Sequence, residues 1–214
     1  MSTSRLLPKR PLQLYARHAS LQAKASSSSA QIQTPYALFP TAVTAAPHFD
    51  LSRTVNTSIA ELYYRRVEPE YSRESFLQGA MEAASIASQY IVDKNWNGLS
   101  NICVTDLVDM IRERCEAESA LIPRIAPGDV LCSYLYSALI SGKQIYRLNP
   151  GNTNIYLTAM VFCRNHPDVP QDLSLKKYLA KYYKEITVCH ITFARAINPP
   201  GIWKATQLNY FNLI

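Results

Sequence analysis

The hydrophobic pattern of this chain changes period once, at Gly128, and that change restricts the folds open to it. Upstream, apolar residues recur at helical spacing. In SFLQGAMEAASIASQYIVDKNWNGL, residues 75–99, Phe76, Ala80, Ala83, Ala84, Ala87, Tyr90 and Ile91 fall near one face of a helix expected from about Ser72 to Asp93. Gly79 and the alanines keep that face thin, which suits a helix lying on a sheet better than a coiled coil, where bulky knobs are needed at every turn. A second helical region is expected from near Asn97, with Leu99, Ile102, Leu107, Met110 and Ile111 inward, ending at Pro123, Pro127 and Gly128. Ahead of both, Ser58 and Glu61 form a capping-box pattern for a short helix that turns Ile59, Leu62 and Tyr63 inward.

Beyond Gly128 the period becomes two. DVLCSYLYSALI alternates Val130, Cys132, Tyr134, Tyr136 and Ala138 with Leu131, Ser133, Leu135, Ser137 and Leu139, the pattern of a strand. SGK at 141–143 reads as a hairpin turn, QIYRL as a return strand and NPGNTN as a loop; IYLTAMVFC, ITVCHITFARA and WKATQLNYFNLI follow as strands, the last two joined by the turn INPPG. Short connections imply antiparallel pairing. The one long connection, RNHPDVPQDLSLKKYLAKYYKE, contains a helical stretch. Helices first and four to five strands afterwards is the order of an α+β domain, N-terminal helices packed on one side of a curved antiparallel sheet. Trp96 and Trp203 are placed to close the two ends of its core.

The net charge of +6 suggests a nucleic-acid partner until it is located. Residues 1–50 hold five bases against the single acid Asp50, so four of the six charges lie there and the remainder of the chain is nearly neutral. DNA is therefore not an expected partner. Residues 1–30, spaced with Arg and Lys, rich in Ser and free of acids, have the composition of a mitochondrial transit peptide, the alternative being a disordered basic tail. No apolar run long enough for a secretory signal occurs there. Residues 31–57, with Pro35, Pro40, Pro47 and hardly any charge, read as a linker, leaving 58–214 as a single domain. The five cysteines are odd in number, scattered and free of C-x-x-C pairs, which argues against a disulfide framework or a metal site; each reads first as a small buried hydrophobe. No cofactor is expected.

The Ala-faced helix ending at Trp96, the acid- and Arg-bearing helical region after it, and the sheet whose final turn is INPPGIWKATQL together resemble the Tim-forty-four-like domain family, over about residues 70–214. Phe76, Gly79, Ala80, the turn around Trp96 and the unit ending in Trp203 carry the likeness. The resemblance implies an NTF2-like cone and an adaptor at the matrix face of the mitochondrial inner membrane. It also implies partnership with the matrix AAA protease and assistance in sorting and maturing newly imported hydrophobic inner-membrane subunits, a regulator of calcium uptake among them. Mitoribosome-associated relatives and NTF2-like enzymes remain as alternatives of other classes.

His190 is the one histidine on an expected strand, and as a general base it would need an orienting carboxylate that the sequence does not place; the bland reading is a structural histidine. No phosphate-cradling loop and no H-E-x-x-H motif occurs, and no catalytic residue is nominated. In LSLKKYLAKYYKEI, Leu175, Tyr178, Leu179 and Tyr182 gather on one helical face, with lysines opposite. Lys176, Lys177, Lys181 and Lys184 thus form a basic rim suited to an anionic lipid surface or a partner, unless the stripe packs on the domain itself and the lysines are merely solvated. Phe76, Trp96, Tyr134, Phe193 and Trp203 are the candidates for an apolar client groove, their division between groove and core left open.

Overall fold

The computed structural model describes residues 38–39, 51–117, 123–141, 153–171, 174–197 and 199–212, the side chains of Leu51 and Leu175 excepted. All of these belong to one compact unit. The transit segment 1–30, the QIYRL strand and the NPGNTN loop lie outside the described residues.

The first helix, α1 (Leu51–Val67), starts inside the stretch read as linker, so the folded unit takes in the last residues of 31–57. Ser58 is not its cap: it sits within the helix and donates its hydroxyl to the Thr54 carbonyl (2.9 Å). The inward face is also not the expected one. Thr57, Ala60, Glu61 and Tyr64 are buried, while Ile59 and Leu62 are exposed and Tyr63 is half-buried. Polar pairing decides this orientation: Glu61 takes the Arg73 guanidinium and the Tyr71 hydroxyl, and Thr57 Oγ1 accepts the Ala138 N–H (3.3 Å).

Helix α2 (Arg73–Val92) matches the expectation closely. The Ser72 hydroxyl accepts the Ser75 N–H (3.0 Å) at its N-cap, with Glu74 favourably placed in the first turn. Its far end stops in a Schellman motif. Lys94 takes φ 53°, its N–H reaching the Ile91 carbonyl (3.1 Å) and the Asn95 N–H the Tyr90 carbonyl (2.8 Å). Asn95 then caps the next helix, α3 (Trp96–Ile102), through Oδ1 to the Gly98 N–H (2.9 Å). A Cβ at Gly98 would stand 2.8 Å from Tyr90 Cε1, so the close approach of the two helices at this corner needs glycine.

The second helical region is broken in two, because Cys103 bridges to Ala205 and the Val104 N–H donates to the Ala205 carbonyl (2.9 Å). Helix α4 (Thr105–Ala117) restarts with a new phase: Leu107, Val108 and Ile111 are buried and Met110, expected inward, is exposed.

Among the described residues four strands follow: β1 (Val130–Ser141), β2 (Asn154–Arg164), β3 (Ile186–Ala196) and β4 (Lys204–Asn212), paired in that order as an antiparallel meander. This is the α+β arrangement read from the sequence, with helices packed on a curved sheet. Against one face lie Ala80, Ala84, Ala87 and Ile91 of α2 together with Leu99, Leu107 and Ile111, over Val161, Cys189, Ile191, Leu208 and Tyr210. The small α2 face lets the helix come close enough for the buried Tyr210 hydroxyl to donate to the Ala84 carbonyl (2.6 Å). Beside it, Ser88 donates to the Pro123 carbonyl (2.8 Å) and accepts the Ile125 N–H (2.9 Å), so the chain returning from α4 is satisfied without water.

The opposite face is not bare. Phe162, Val188 and Phe211 are covered by Val169 and by Tyr178, Leu179 and Tyr182 around the short helix α5 (Leu175–Lys181), so helices are not confined to one side. In β1 the expected alternation fails because register shifts fall between Val130 and Cys132 and between Leu135 and Ser137. Tyr134 and Ala138, read as neighbours on one side, therefore pack in different clusters. Upstream of the helices, Leu38 is fully buried: its N–H donates to the Tyr210 carbonyl (2.9 Å) and its carbonyl accepts Arg114 Nε (3.0 Å).

Candidate functional site

Between the first turns of α2 and the turn joining β3 to β4 lies an open pocket of about 330 Å³. Phe76, Gly79 and Ala80 form its helical wall; Phe193 and Trp203 come from the sheet side, and Tyr71, Ser72, Ser75, Glu68 and Glu70 complete it. The aromatic rings meet edge to face or tilted. Phe76 lies 5.9 Å from Phe193 and 5.8 Å from Trp203 between ring centroids, within the range where such pairs attract. Gly79 is exposed, and a Cβ there would meet no heavy atom within 4 Å, so the wall has room on that side.

Two polar networks hold the aromatic walls. Glu68 accepts both of its oxygens' bonds from Arg195 Nη1 (2.7 Å each) and a further one from the Tyr64 hydroxyl. Arg195 also donates Nε to the Gly201 carbonyl (2.7 Å) and lies over the Trp203 ring at 5.7 Å, so it fixes the turn that carries the tryptophan. Burial alone would push the Glu68 carboxyl up, but hydrogen bonds from Tyr64 and Arg195 outweigh it and hold the group below its ordinary value. Burial and the Glu68 bond push the Tyr64 hydroxyl well up. The second network, Glu61 with Arg73 and Tyr71, ties α1 to the start of α2, and burial raises the Tyr71 hydroxyl in the same way.

Of the five groove candidates, Phe76, Phe193 and Trp203 come together in this pocket, and the other two do not join them. Trp96 is half-buried at the far end of α2, with the Arg112 guanidinium 5.6 Å from its ring. Tyr134 stacks on Phe162 (5.8 Å, 24°) on the opposite face of the sheet, its buried hydroxyl without a hydrogen-bond partner among the described residues. Tyr71, Glu68 and Arg195 were not nominated from the sequence. Nothing in local spacing could have found the last pair, since 127 positions separate them.

The rim residues Lys176, Lys177, Lys181 and Lys184 are all exposed on and just after α5. Tyr178 of the accompanying stripe is buried, its hydroxyl donating to the Pro170 carbonyl (2.7 Å), and Leu179 and Tyr182 pack beside it; the side chain of Leu175 lies outside the described residues. The stripe thus faces the domain's own sheet and the lysines face water. His190 sits on the same sheet face as Tyr134, edge-on to Tyr136 at 5.8 Å, and burial pushes its imidazole below the ordinary value. Among the described residues no carboxylate orients it, and no group of three or more His, Cys, Asp or Glu side chains is placed to hold a metal ion. All five cysteines are free thiols; burial pushes Cys103 and Cys163 up to about 12 and Cys189 well above the ordinary value. Among the described residues no helix is long and apolar enough to cross a membrane.

No protein-family model matches the chain, and no curated protein matches it. The resemblance drawn from the sequence therefore rests on the residues that carry it.

Proposed function

We propose that this protein is a noncatalytic adaptor of the mitochondrial matrix, peripheral to the inner membrane. It shelters apolar segments of newly imported inner-membrane proteins in the Phe76–Phe193–Trp203 pocket and presents them to the matrix AAA protease. One observation carries the reading: an open cavity of about 330 Å³ has aromatic walls, and the half-buried Glu68 carboxylate at its edge is already committed to Arg195. Such a cavity is suited to burying an apolar side chain, at about 25 cal/mol per Å² removed from water. The basic, acid-free composition of residues 1–30 supports import into the matrix, and the four exposed lysines of the α5 region support contact with an anionic lipid surface.

The test begins with Trp203, which lines the pocket, as reporter. In a Trp96→Phe background its emission should shift to the blue as a leucine-rich synthetic peptide is titrated in. An unchanged spectrum across the titration removes the pocket as a client site. Affinity purification from matrix extract should then recover the AAA protease. Recovery of ribosomal proteins alone would replace the adaptor reading with that of a mitoribosome-associated protein.

A further inference from the structure

Helix α1 turns its most apolar side chains to solvent. Val55 is 47%, Ile59 62% and Leu62 58% exposed. At about 100° per residue they fall within roughly 60° of one another, directly opposite the face made by Thr57, Ala60, Glu61 and Tyr64. The i, i+4, i+7 pattern that ordinarily seats a helix on its own domain is thus left over after the helix has been seated by other residues. At the C-terminal end of the same helix Arg65 and Arg66 are exposed, and among the described residues no carboxylate pairs with either.

We infer that this stripe is the docking site for an acidic amphipathic helix of another protein. Its leucine-type anchors would lie on Val55, Ile59 and Leu62, and its carboxylates would meet Arg65 and Arg66. The anchors follow the helix-in-groove spacing, and the charges select the partner's sign. A second copy of this chain does not fit. The only acid in α1 is Glu61, which is 4% exposed and holds Arg73, so the α1 of a second copy offers no free carboxylate to Arg65 and Arg66. This site is separate from the aromatic pocket and does not depend on the proposed function.

The probe is a fluorescein-labelled 18-residue helical peptide with leucines at i, i+4 and i+7 and glutamates flanking them, titrated into the full chain and followed by anisotropy. A sister peptide carries lysines in place of the glutamates. The glutamate peptide should bind saturably and the lysine peptide at least tenfold more weakly. Ile59→Ser with Leu62→Ser should weaken binding at least tenfold, and both positions are exposed, so the domain should keep its native circular dichroism. Arg65→Glu with Arg66→Glu should invert the preference between the peptides. Absence of saturable binding, equal binding of both peptides, or indifference to the Ile59/Leu62 variant would overturn the inference. So would loss, in that variant, of a dimer seen by sedimentation or of flotation with anionic phospholipid vesicles, since either result would hand the stripe to a different occupant. Gly79→Leu, which fills the aromatic pocket, should leave peptide binding unchanged and so separates this site from the other.

Discussion

Replacing Gly79 with leucine should make the protein more stable and less able to bind. The glycine lies within α2, where backbone freedom costs about 0.8–1.0 kcal/mol relative to alanine, and leucine is within a few tenths of alanine. A Cβ at this position would meet no heavy atom within 4 Å, so no strain offsets the gain. Stability should therefore rise by about 0.5–1 kcal/mol, a Tm increase on the order of 2 °C for a domain of this size. The same isobutyl group would project into a cavity of about 330 Å³ whose wall the glycine forms. Binding of the leucine-rich peptide, read from Trp203 emission in the Trp96→Phe background, should weaken at least tenfold, equivalent to about 1.4 kcal/mol. Gly79→Ala is the control, gaining the same helical stability while leaving the pocket open and the affinity intact. Ordinary loss-of-function variants confound binding with unfolding, whereas this one moves the two in opposite directions. Native affinity in the leucine variant would refute the pocket as the client site, and a lowered Tm would refute the account of the α2 wall.

Gly98→Ala should destabilise by about 1–3 kcal/mol in urea titration, because its Cβ would press on Tyr90 at 2.8 Å and on Asn95 Nδ2 at 2.9 Å, disturbing the cap of α3. With burial pushing Cys103 and Cys163 up to about 12 and Cys189 well above the ordinary thiol value, those thiols should resist a disulfide reagent at pH 8 in the native protein and react fully in denaturant. Burial lowers the His190 imidazole, so below about pH 6.5 the unfolded chain takes up that proton in preference to the folded one, and stability should fall with pH from there. His190→Gln should flatten that part of the profile as followed by urea midpoints. Glu68, held below its ordinary value, should add a second loss of stability as pH falls through the carboxylate range, and Arg195→Gln should diminish it.

How far the sequence could be read depended on whether an element was shaped by local pattern or by distant polar partners. Helix α2 was legible because its buried face is built from small apolar residues at helical spacing. Its abrupt end was visible too, though the left-handed Lys94 that makes the turn was not. Helix α1 was misread for the opposite reason. Ile59 and Leu62 carry the periodic signal, yet the seat is determined by Glu61 meeting Arg73 and by Thr57 meeting the Ala138 backbone, neither of which hydrophobic spacing reports. The β1 alternation was lost at two register shifts that move Tyr134 and Ala138 into different clusters. At the pocket, Phe76, Phe193 and Trp203 stood out singly as large apolar residues, whereas the Glu68–Arg195 clasp joins sites too far apart in the chain for any motif to link them.

The short contact of Leu38 with β4 bears on where the chain tolerates proteolytic trimming. β4 is the last strand of the sheet, and a strand with one free side invites pairing with foreign chains. Leu38 occupies that margin at Tyr210 and Val104 occupies it at Ala205, so the border is blunted near both of its ends. A cut ahead of Leu38 leaves this guard in place. A cut a few residues later would strip one end of the border together with the buried Leu38 side chain, and the shortened product should both aggregate on standing and melt at a lower temperature.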